Sequence, residues 1–182
     1  MDEELVVLLD DNGNEVGASE KFSAHHANTP LHKAFSCYIF NKQGELLVTK
    51  RADSKKVWPG VWTNSACGHP GPGETDTDAI HRRVMYELGM SIDRPVCIVA
   101  KYRYKTPLFN GIIEHEECPI YRAQVIGEFQ PNPSEVCDYK WINWGQYVQE
   151  LEHDQVDVYS WWSKDQLKHV QQPITDYLKS LK

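Results

Sequence analysis

Short apolar runs separated by turn residues dominate the first third of the chain. Residues 5–9 form a run of strand length, and the turn residues at 11–14 predict that residues 15–18 pair back as a hairpin. Residues 34–40 are rich in aromatic and β-branched side chains, and a second turn joins them to a strand at residues 46–49. The pattern therefore predicts two hairpins in this part of the chain.

The central part of the chain carries apolar residues at helical spacing. Ile80, Val84 and Leu88 recur at every fourth position, which places all three on one face of a helix. Thr75 is a candidate N-cap, because its side chain can accept a hydrogen bond from the first turn. Gly89 suits the left-handed residue that often follows a helix. We therefore expect one helix in the middle of the chain, after a glycine-rich loop.

The rest of the chain adds strands first and helices last. Its predicted strands are residues 95–104, 112–125 and 139–142, and its predicted helices are residues 144–151 and 163–181. Pro173 lacks an amide hydrogen, so the last helix should be interrupted there. Many strands with one central helix and later helices predict an α+β fold, a mixed β-sheet sandwich with a central loop-helix and additional helices.

Composition narrows the class of protein. The chain has 182 residues, of which 41% are hydrophobic and 25% charged, and this suits one globular domain spanning residues 1–182. No apolar run reaches the ~18 residues that a membrane span needs. The N-terminal residues are acidic where a secretory signal would be basic. The five cysteines form no C-x-x-C pair, so we expect reduced thiols and a cytoplasmic protein.

The net charge excludes two classes of partner. The chain has 19 Lys and Arg residues against 26 Asp and Glu residues, which gives a net charge of −7. Such a surface repels nucleic acids and anionic membranes, so we expect neither as a partner. A ligand that carries phosphate therefore needs a local cluster of basic side chains or a metal ion.

A motif of defined spacing covers the glycine-rich loop and the central helix. It comprises Gly68, Glu74, Arg82, Glu87 and Gly89. This spacing resembles the Nudix box, a loop-helix whose glutamates bind Mg²⁺ over a diphosphate. Arg83 and Tyr86 stand where the box has two further glutamates. Because two metal-binding acids are missing, we expect a relative that binds a diphosphate without hydrolysing it.

Arg83 and Glu87 lie four residues apart and share a face of the predicted helix. Glu87 can hold a Mg²⁺ ion that bridges to phosphate oxygens, and Arg83 can bind the same phosphates. A surface ion pair between the two side chains explains the spacing equally well.

A second group combines imidazoles and carboxylates. It comprises His25, His32, His69, Glu114 and Glu116. Glu114 and Glu116 lie two residues apart in a predicted strand, so they face the same side and repel each other unless a cation sits between them. Three imidazoles with two carboxylates suit Zn²⁺ or Mn²⁺. The residues alone do not decide between His25 and His26, or between Glu116 and Glu117, and solvated histidines on an acidic surface strand are the alternative.

Three further groups of residues could take part in catalysis or ligand binding. Cys67 enters the glycine-rich loop and is either an activated thiol near basic groups or a small buried side chain. The basic residues that could gather a dianionic ligand are Lys21, Lys50, Arg51, Lys55 and Lys56. The aromatic residues that could line a dry pocket are Trp58, Trp62, Tyr104, Trp161 and Trp162. A charged loop and ordinary core packing are the alternatives for the last two groups.

Taken together, several segments resemble the type I isopentenyl-diphosphate isomerases, a family of the Nudix superfamily. The segments are residues 20–25, 29–32, 51–56, 58–64, 67–70, 82–89 and 114–119. The resemblance covers nearly the whole chain, is weak over residues 131–153, and includes the two missing box glutamates. It implies a Nudix-like fold and the reversible isomerisation of isopentenyl diphosphate to dimethylallyl diphosphate through a tertiary carbocation, in isoprenoid biosynthesis.

The resemblance also implies a site with two metal ions. The ligands of one Mn²⁺ or Zn²⁺ ion would be His25, His32, His69, Glu114 and Glu116. Glu87 would bind one Mg²⁺ ion together with the diphosphate of the substrate. The diphosphate contacts would be Lys21, Arg51, Lys55 and Arg83.

Four residues would carry the chemistry in a protein of this family. Cys67 and Glu116 would act as the acid and base, with Tyr104 as the partner of Glu116 and Trp161 over the cationic carbon. The expected partner is a small isoprenyl diphosphate, and the sequence leaves monomer and dimer open.

Overall fold

The computed structural model describes residues 4–181, which form twelve strands and four helices. The strands are β1 (Leu5–Leu9), β2 (Glu15–Glu20), β3 (His32–Lys33), β4 (Phe35–Phe40), β5 (Glu45–Arg51), β6 (Trp62–Thr63), β7 (Ala66–Gly68), β8 (Val96–Val99), β9 (Arg103–Lys105), β10 (His115–Glu117), β11 (Ile120–Gln124) and β12 (Val136–Asn143). The helices are α1 (Lys21–Ala24), α2 (Asp76–Leu88), α3 (Trp144–His153) and α4 (Trp161–Ser180).

The strands form two mixed sheets, as the α+β prediction requires. The first sheet has the order β2-β1-β3-β10-β9, and the second has the order β12-β5-β4-β11-β8 with β6 paired to β5 and β7 paired to β4. The pairs β3–β10 and β4–β11 are parallel. Parallel pairing joins segments that are far apart in sequence, and here it brings the middle of the chain beside its N-terminal third.

The second sheet is covered on both faces, and strand β4 shows why. All six of its residues are buried, so the strand cannot have a solvent face. Phe35, Cys37 and Ile39 pack towards helix α2, whereas Tyr38 and Phe40 pack into the core that helices α3 and α4 share. Alternate side chains of one strand thus hold helices on opposite faces of the sheet.

Both predicted hairpins and the central helix are confirmed. Strand β1 pairs antiparallel with β2, and β4 pairs antiparallel with β5. Thr75 caps helix α2 by accepting a hydrogen bond from the amide of Asp78 at 3.2 Å. Gly89 ends the helix in the left-handed conformation with φ 55°.

The two long strands predicted in the second half were wrong, because each is two strands that lie in different sheets. Residues 95–104 contain β8 of the second sheet and the start of β9 of the first, and residues 112–125 contain β10 and β11. The second break falls at Cys118 and Pro119, where proline has no amide hydrogen for a ladder. These crossings place Glu116, in the middle of β10, beside His69 of the glycine-rich loop.

The predicted interruption of the last helix was also wrong. Helix α4 continues through Pro173 to Ser180. Val170 and Ile174, on either side of the proline, are fully buried, and their burial outweighs the lost backbone hydrogen bond.

The short helix α1 was not predicted, although its cap is local. The carboxylate of Glu20 accepts hydrogen bonds from the amides of Phe22 and Ser23 at 2.9 and 2.7 Å. Within residues 4–181 no helix has the length and apolar character needed to cross a membrane. All five cysteines are free thiols.

Candidate active site

Backbone pairing brings together five side chains that are far apart in sequence. Glu116 on β10 lies directly opposite His32 on β3. His69 follows strand β7, and its carbonyl accepts a hydrogen bond from Arg82 of helix α2 at 3.1 Å. Glu114 precedes β10, and His25 is the C-cap residue of helix α1. One ligand atom from each of these residues lies within 4.8 Å of every other.

The cluster, which we call the His/Glu cluster (His25, His32, His69, Glu114 and Glu116), is compact and mostly buried. The Nε2 atom of His25 is 3.1 Å from Glu114 Oε2, and the Nε2 atoms of His32 and His69 are 3.6 and 3.0 Å from Glu116 Oε1. His32 is 0% exposed and Glu116 is 6% exposed. Two carboxylates and three imidazoles in so small a volume form the donor set of a divalent metal ion.

The backbone fixes the protonation of two of the imidazoles. His25 Nδ1 is 2.6 Å from the carbonyl of Lys21, and His32 Nδ1 is 2.9 Å from the carbonyl of Pro30. A carbonyl only accepts, so each Nδ1 carries a hydrogen, and in the neutral ring each Nε2 can present its lone pair to a metal ion in the cluster. Within residues 4–181 the buried Nε2 of His32 has no hydrogen-bond partner. An unpartnered lone pair that faces two carboxylates fits a metal ion.

The structure decides between the neighbouring residues that the sequence left as alternatives. His25 lies in the His/Glu cluster, whereas His26 accepts a hydrogen bond from the amide of Asn28 and lies outside it. Glu116 lies in the cluster, whereas Glu117 points to the other face of β10 and pairs with Arg103 at 2.5 Å.

Glu116 is ionised and is also the acceptor of a short hydrogen bond. Burial alone would raise its pKa, but the neighbouring imidazoles of His32 and His69 outweigh burial and hold the pKa well below the usual range. Tyr104 lies opposite Glu116 on β9, and its hydroxyl donates to Glu116 Oε2 at 2.5 Å. Burial and the neighbouring carboxylate raise the pKa of Tyr104 far above its usual value. The pair is therefore a carboxylate that accepts a hydrogen bond from a neutral phenol.

The pKa values of two imidazoles of the cluster are shifted in opposite directions. Burial lowers the pKa of His69 to about 4, so its ring is neutral at physiological pH. Burial also opposes the charged form of His25, but the hydrogen bond and charge of Glu114 outweigh it and raise the pKa of His25.

Cys67 lies two residues before His69, at the edge of the same site. Burial raises the pKa of Cys67 to about 12, which favours the neutral thiol over the thiolate. Its sulfur is 3.1 Å from Asn64 Oδ1 and 3.4 Å from the hydroxyl of Ser36, which lies directly opposite on β4. A neutral thiol held between two polar groups suits proton transfer more than nucleophilic attack.

Aromatic rings adjoin the carboxylate–phenol pair. The ring of Trp161 is 5.8 Å from that of Tyr104, which stacks on Tyr102 at 5.4 Å. Trp58 stacks on Phe109 at 4.4 Å. Trp161 thus lies beside the tyrosine ring whose hydroxyl bonds Glu116.

The predicted basic residues are held by carboxylates. Lys21 is 2.9 Å from Glu4, and Lys55 pairs with Glu135. Arg83 donates to Glu87 at 2.9 Å and to Glu135 at 3.2 Å. The Arg83–Glu87 pair is therefore real, but it is largely buried and does not form a surface ion pair.

Arg51 has a different environment from the other three cations. It donates to the carbonyls of Val57 and Trp58 at 2.9 and 3.1 Å, and so braces the loop that precedes β6. Lys50 and Lys56 do not join the carboxylate network in the described residues; Lys56 lies over the ring of Phe22 at 4.1 Å.

Sequence reasoning did not identify four residues in contact with the site. They are Glu4, Ser36, Asn64 and Glu135. Asn64 lies within a segment that carried the family resemblance, which could have indicated it. Glu135 lies where that resemblance is weak, and its spacing to Arg83 has no helical or strand periodicity.

Comparison with known proteins agrees with the sequence resemblance. A family model described as NUDIX domain matches residues 30–162. The isopentenyl-diphosphate Delta-isomerase of Paenarthrobacter aurescens (strain TC1) is 49% identical over 150 residues, which are 82% of this chain and 82% of the relative. The protein of the same name from Klebsiella pneumoniae (strain MGH 78578) is 51% identical over 140 residues, covering 77% of this chain and 76% of the relative.

Solved structures agree on the fold. The crystal structure of DR0079 from Deinococcus radiodurans has a TM-score of 0.70 at 16% identity and covers 91% of this chain and 98% of its own. A MutT NUDIX hydrolase from Burkholderia pseudomallei has a TM-score of 0.58 at 20% identity and covers 77% of this chain and 98% of its own. The fold is thus the Nudix-like one expected from the sequence, and the chain belongs to the isopentenyl-diphosphate Delta-isomerase family of NUDIX-domain proteins.

Proposed function

We propose that this chain interconverts isopentenyl diphosphate and dimethylallyl diphosphate by moving a carbon–carbon double bond one position. The observation that carries this proposal is the 49% identity to an isopentenyl-diphosphate Delta-isomerase over 82% of the chain. The geometry supports it, because the site joins a buried proton-carrying pair to a thiol and an aromatic ring.

The reaction adds a proton at one carbon and removes a proton from another. An alkene is a weak base, and the tertiary carbocation formed by protonation would be captured by water. The site therefore needs an acid, a base and a dry cavity with a group that stabilises the cation without bonding to it.

Cys67 and Glu116 would exchange protons with the substrate. In one direction, one of these two groups donates a proton to the alkene carbon, and the other group accepts the proton that leaves the second carbon. The Tyr104 hydroxyl, which is hydrogen-bonded to Glu116, is the alternative donor on that side. In the reverse direction the roles exchange. Glu116 is buried and Cys67 is partly buried, so the proton transfers would occur largely away from bulk water.

The His/Glu cluster would hold one Mn²⁺ or Zn²⁺ ion. Such an ion, when bound, acts as a Lewis acid that makes a coordinated carboxyl group a stronger acid. Glu116 would then be anchored at one oxygen and hydrogen-bonded by Tyr104 at the other.

Metal binding can be tested with neighbouring histidines. Adding Mn²⁺ or Zn²⁺ to metal-free protein should raise the unfolding midpoint, because ligand at about 100 times its Kd stabilises by about 2.7 kcal/mol, or roughly 5–10 °C for a chain of this size. The variant His25→Ala should lose most of this shift, and His26→Ala should keep it. Thermal unfolding followed by circular dichroism would measure it, and the opposite pattern would contradict the ligand assignment.

The diphosphate would bind at the cations Lys21, Lys55 and Arg83, with Mg²⁺ accompanying it. Glu87 is a glutamate of the box, and Arg83 engages its Oε1 atom. A single carboxylate is too small a site for Mg²⁺ by itself, so the diphosphate oxygens would supply the other ligands. Arg51 would contribute by holding the loop that carries Lys55.

Trp161 would stabilise the cationic carbon through the face of its indole ring. A desolvated cation–π contact is worth ~2 kcal/mol, so Trp161→Leu should lower kcat roughly thirtyfold, whereas Trp161→Phe should be tolerated better because it keeps an aromatic face. Steady-state kinetics with isopentenyl diphosphate would measure the difference. Equal rates for the two variants would remove this role.

Isotope exchange in deuterated water tests the function as a whole. The protein with Mg²⁺ and Mn²⁺ should convert isopentenyl diphosphate to dimethylallyl diphosphate and incorporate deuterium at the allylic positions, as read by NMR. A hydrolase of nucleoside diphosphates would instead release inorganic phosphate or a nucleoside monophosphate. Release of those products without exchange would refute isomerisation.

We further propose a cytoplasmic location and no nucleic-acid partner. The five free thiols support the location, and the net charge of −7 supports the absence of a nucleic-acid partner.

A further inference from the structure

A chain of buried polar side chains joins helix α4 to the thiol of Cys67. The hydroxyl of Tyr38 donates to Gln166 Oε1 at 3.0 Å, and Gln166 Nε2 donates to Ser36 Oγ at 2.8 Å. Tyr38 and Gln166 are 0% exposed and Ser36 is 1% exposed. A buried amide is costly unless both of its ends are hydrogen-bonded. Here both ends are used, which fixes the orientation of the Gln166 amide.

The orientation of Gln166 determines what Ser36 can do. Ser36 Oγ accepts from Gln166, so its own hydrogen is available for another acceptor. Two sulfurs lie within reach, Cys67 Sγ at 3.4 Å and Cys118 Sγ at 3.5 Å. Ser36 and Cys67 are register partners on β4 and β7, so the backbone holds them face to face.

The other side of the Cys67 sulfur faces a fixed acceptor. Asn64 Nδ2 donates to the carbonyls of Cys37 and Ala66 at 3.2 and 3.1 Å. Asn64 Oδ1 must therefore point towards Cys67, where it lies 3.1 Å from Sγ and accepts the thiol hydrogen. The sulfur thus has a donor on one side and an acceptor on the other.

We infer that Ser36, oriented by Gln166, is a positioning residue for the Cys67 thiol, which rests on the proposed role of Cys67 in proton transfer. The Ser36 hydroxyl donates to Sγ and, with Asn64, holds the sulfur in one orientation before substrate binds. Preorganisation of this kind affects the chemical step and not substrate affinity. Ser36 is also outside the cation–carboxylate network that would bind the diphosphate.

The kinetic test separates kcat from KM. Ser36→Ala should lower kcat roughly tenfold, the upper range for one lost hydrogen bond, and leave KM and the affinity for inorganic pyrophosphate within twofold of wild type. Gln166→Leu should lower kcat by a smaller factor, because the Ser36 hydroxyl is then present but free to turn. Unchanged kcat in Ser36→Ala would overturn the inference.

A matched variant controls for loss of stability. Ser65 is also 1% exposed, and its hydroxyl bonds the amide of Ile39 and the carbonyl of Leu47 without touching Cys67. Ser65→Ala should lower the unfolding midpoint and keep kcat. Cys118→Ala should also keep kcat, because it removes only the competing sulfur. If Ser36→Ala and Ser65→Ala lowered both the unfolding midpoint and kcat to the same extent, Ser36 would be merely structural.

A spectroscopic test does not depend on activity. The S–H stretching band of Cys67 can be assigned in infrared difference spectra as the band that Cys67→Ala removes. Ser36→Ala should shift this band, because it removes a donor to the sulfur, and Ser65→Ala should not. A band that Ser36→Ala leaves in place would overturn the inference even in an active enzyme. If the wild-type protein lacked isomerase activity while Ser36→Ala still shifted the band, only the proposed function would be refuted.

Discussion

Replacing Cys67 with alanine should remove nearly all isomerisation while the protein keeps its fold. A positioned acid or base contributes roughly 10²–10⁴-fold to a rate, and we expect kcat to fall by a factor in this range. Cys67→Ser should fall almost as far, because a serine hydroxyl is a much weaker acid than a thiol. Deuterium incorporation from deuterated water should fall in parallel, since both proton transfers belong to one reaction.

The matched control for this substitution is Cys118→Ala. Cys118 is a buried thiol whose sulfur is 3.5 Å from the Ser36 hydroxyl, but we assign it no role in proton transfer. Its substitution should leave kcat within a few-fold of wild type, as measured by steady-state kinetics alongside circular dichroism. If Cys67→Ala isomerised at a near-normal rate, proton transfer from two sides of the substrate would be ruled out.

Local pattern was sufficient to predict the parts of the fold that depend on neighbouring residues. The β1–β2 hairpin follows from a short apolar run and a turn, and helix α2 follows from its spacing and its Thr75 cap. Each of these signals lies within about one element of the structure it specifies.

Pairing between distant segments could not be predicted in the same way. The break at Cys118 and Pro119 depends on β10 and β11 joining different sheets, which is decided by their partners β3 and β4. The same parallel pairing places Glu116 opposite His32 and turns Glu117 away. Likewise, His25 rather than His26 reaches the His/Glu cluster because it caps the short helix α1.

The buried polar contacts were the least predictable feature of the site. Gln166 meets Ser36 across 130 positions of sequence, and Glu135 meets Arg83 across 52. No hydrophobic periodicity reports such contacts, because a polar residue in the core is recognised only when its partner is known. The resemblance to a family therefore indicated the ligand and proton-transfer residues but not the groups that hold them.

Replacing Glu116 with glutamine should have the other large effect, a loss of roughly 10³-fold or more in kcat at any metal concentration. Glutamine keeps the volume of the side chain, so the buried site should still pack. The amide carries no charge to balance a cation and has no proton to exchange at this oxygen, and it is a poorer acceptor for the 2.5 Å hydrogen bond from Tyr104. Kinetics with increasing Mn²⁺ would measure the loss.

Two neighbouring carboxylates provide controls of different kinds. Glu117→Gln should leave kcat unchanged, because Glu117 is on the opposite face of β10 and pairs with Arg103. Glu114→Gln should weaken metal binding, but it leaves the Tyr104–Glu116 pair intact, so excess Mn²⁺ should restore much of its activity. If excess Mn²⁺ restored Glu116→Gln to the same extent, Glu116 would be a metal ligand alone. Because Glu116 is the one carboxylate of the cluster that Tyr104 hydrogen-bonds, we expect the two variants to respond differently.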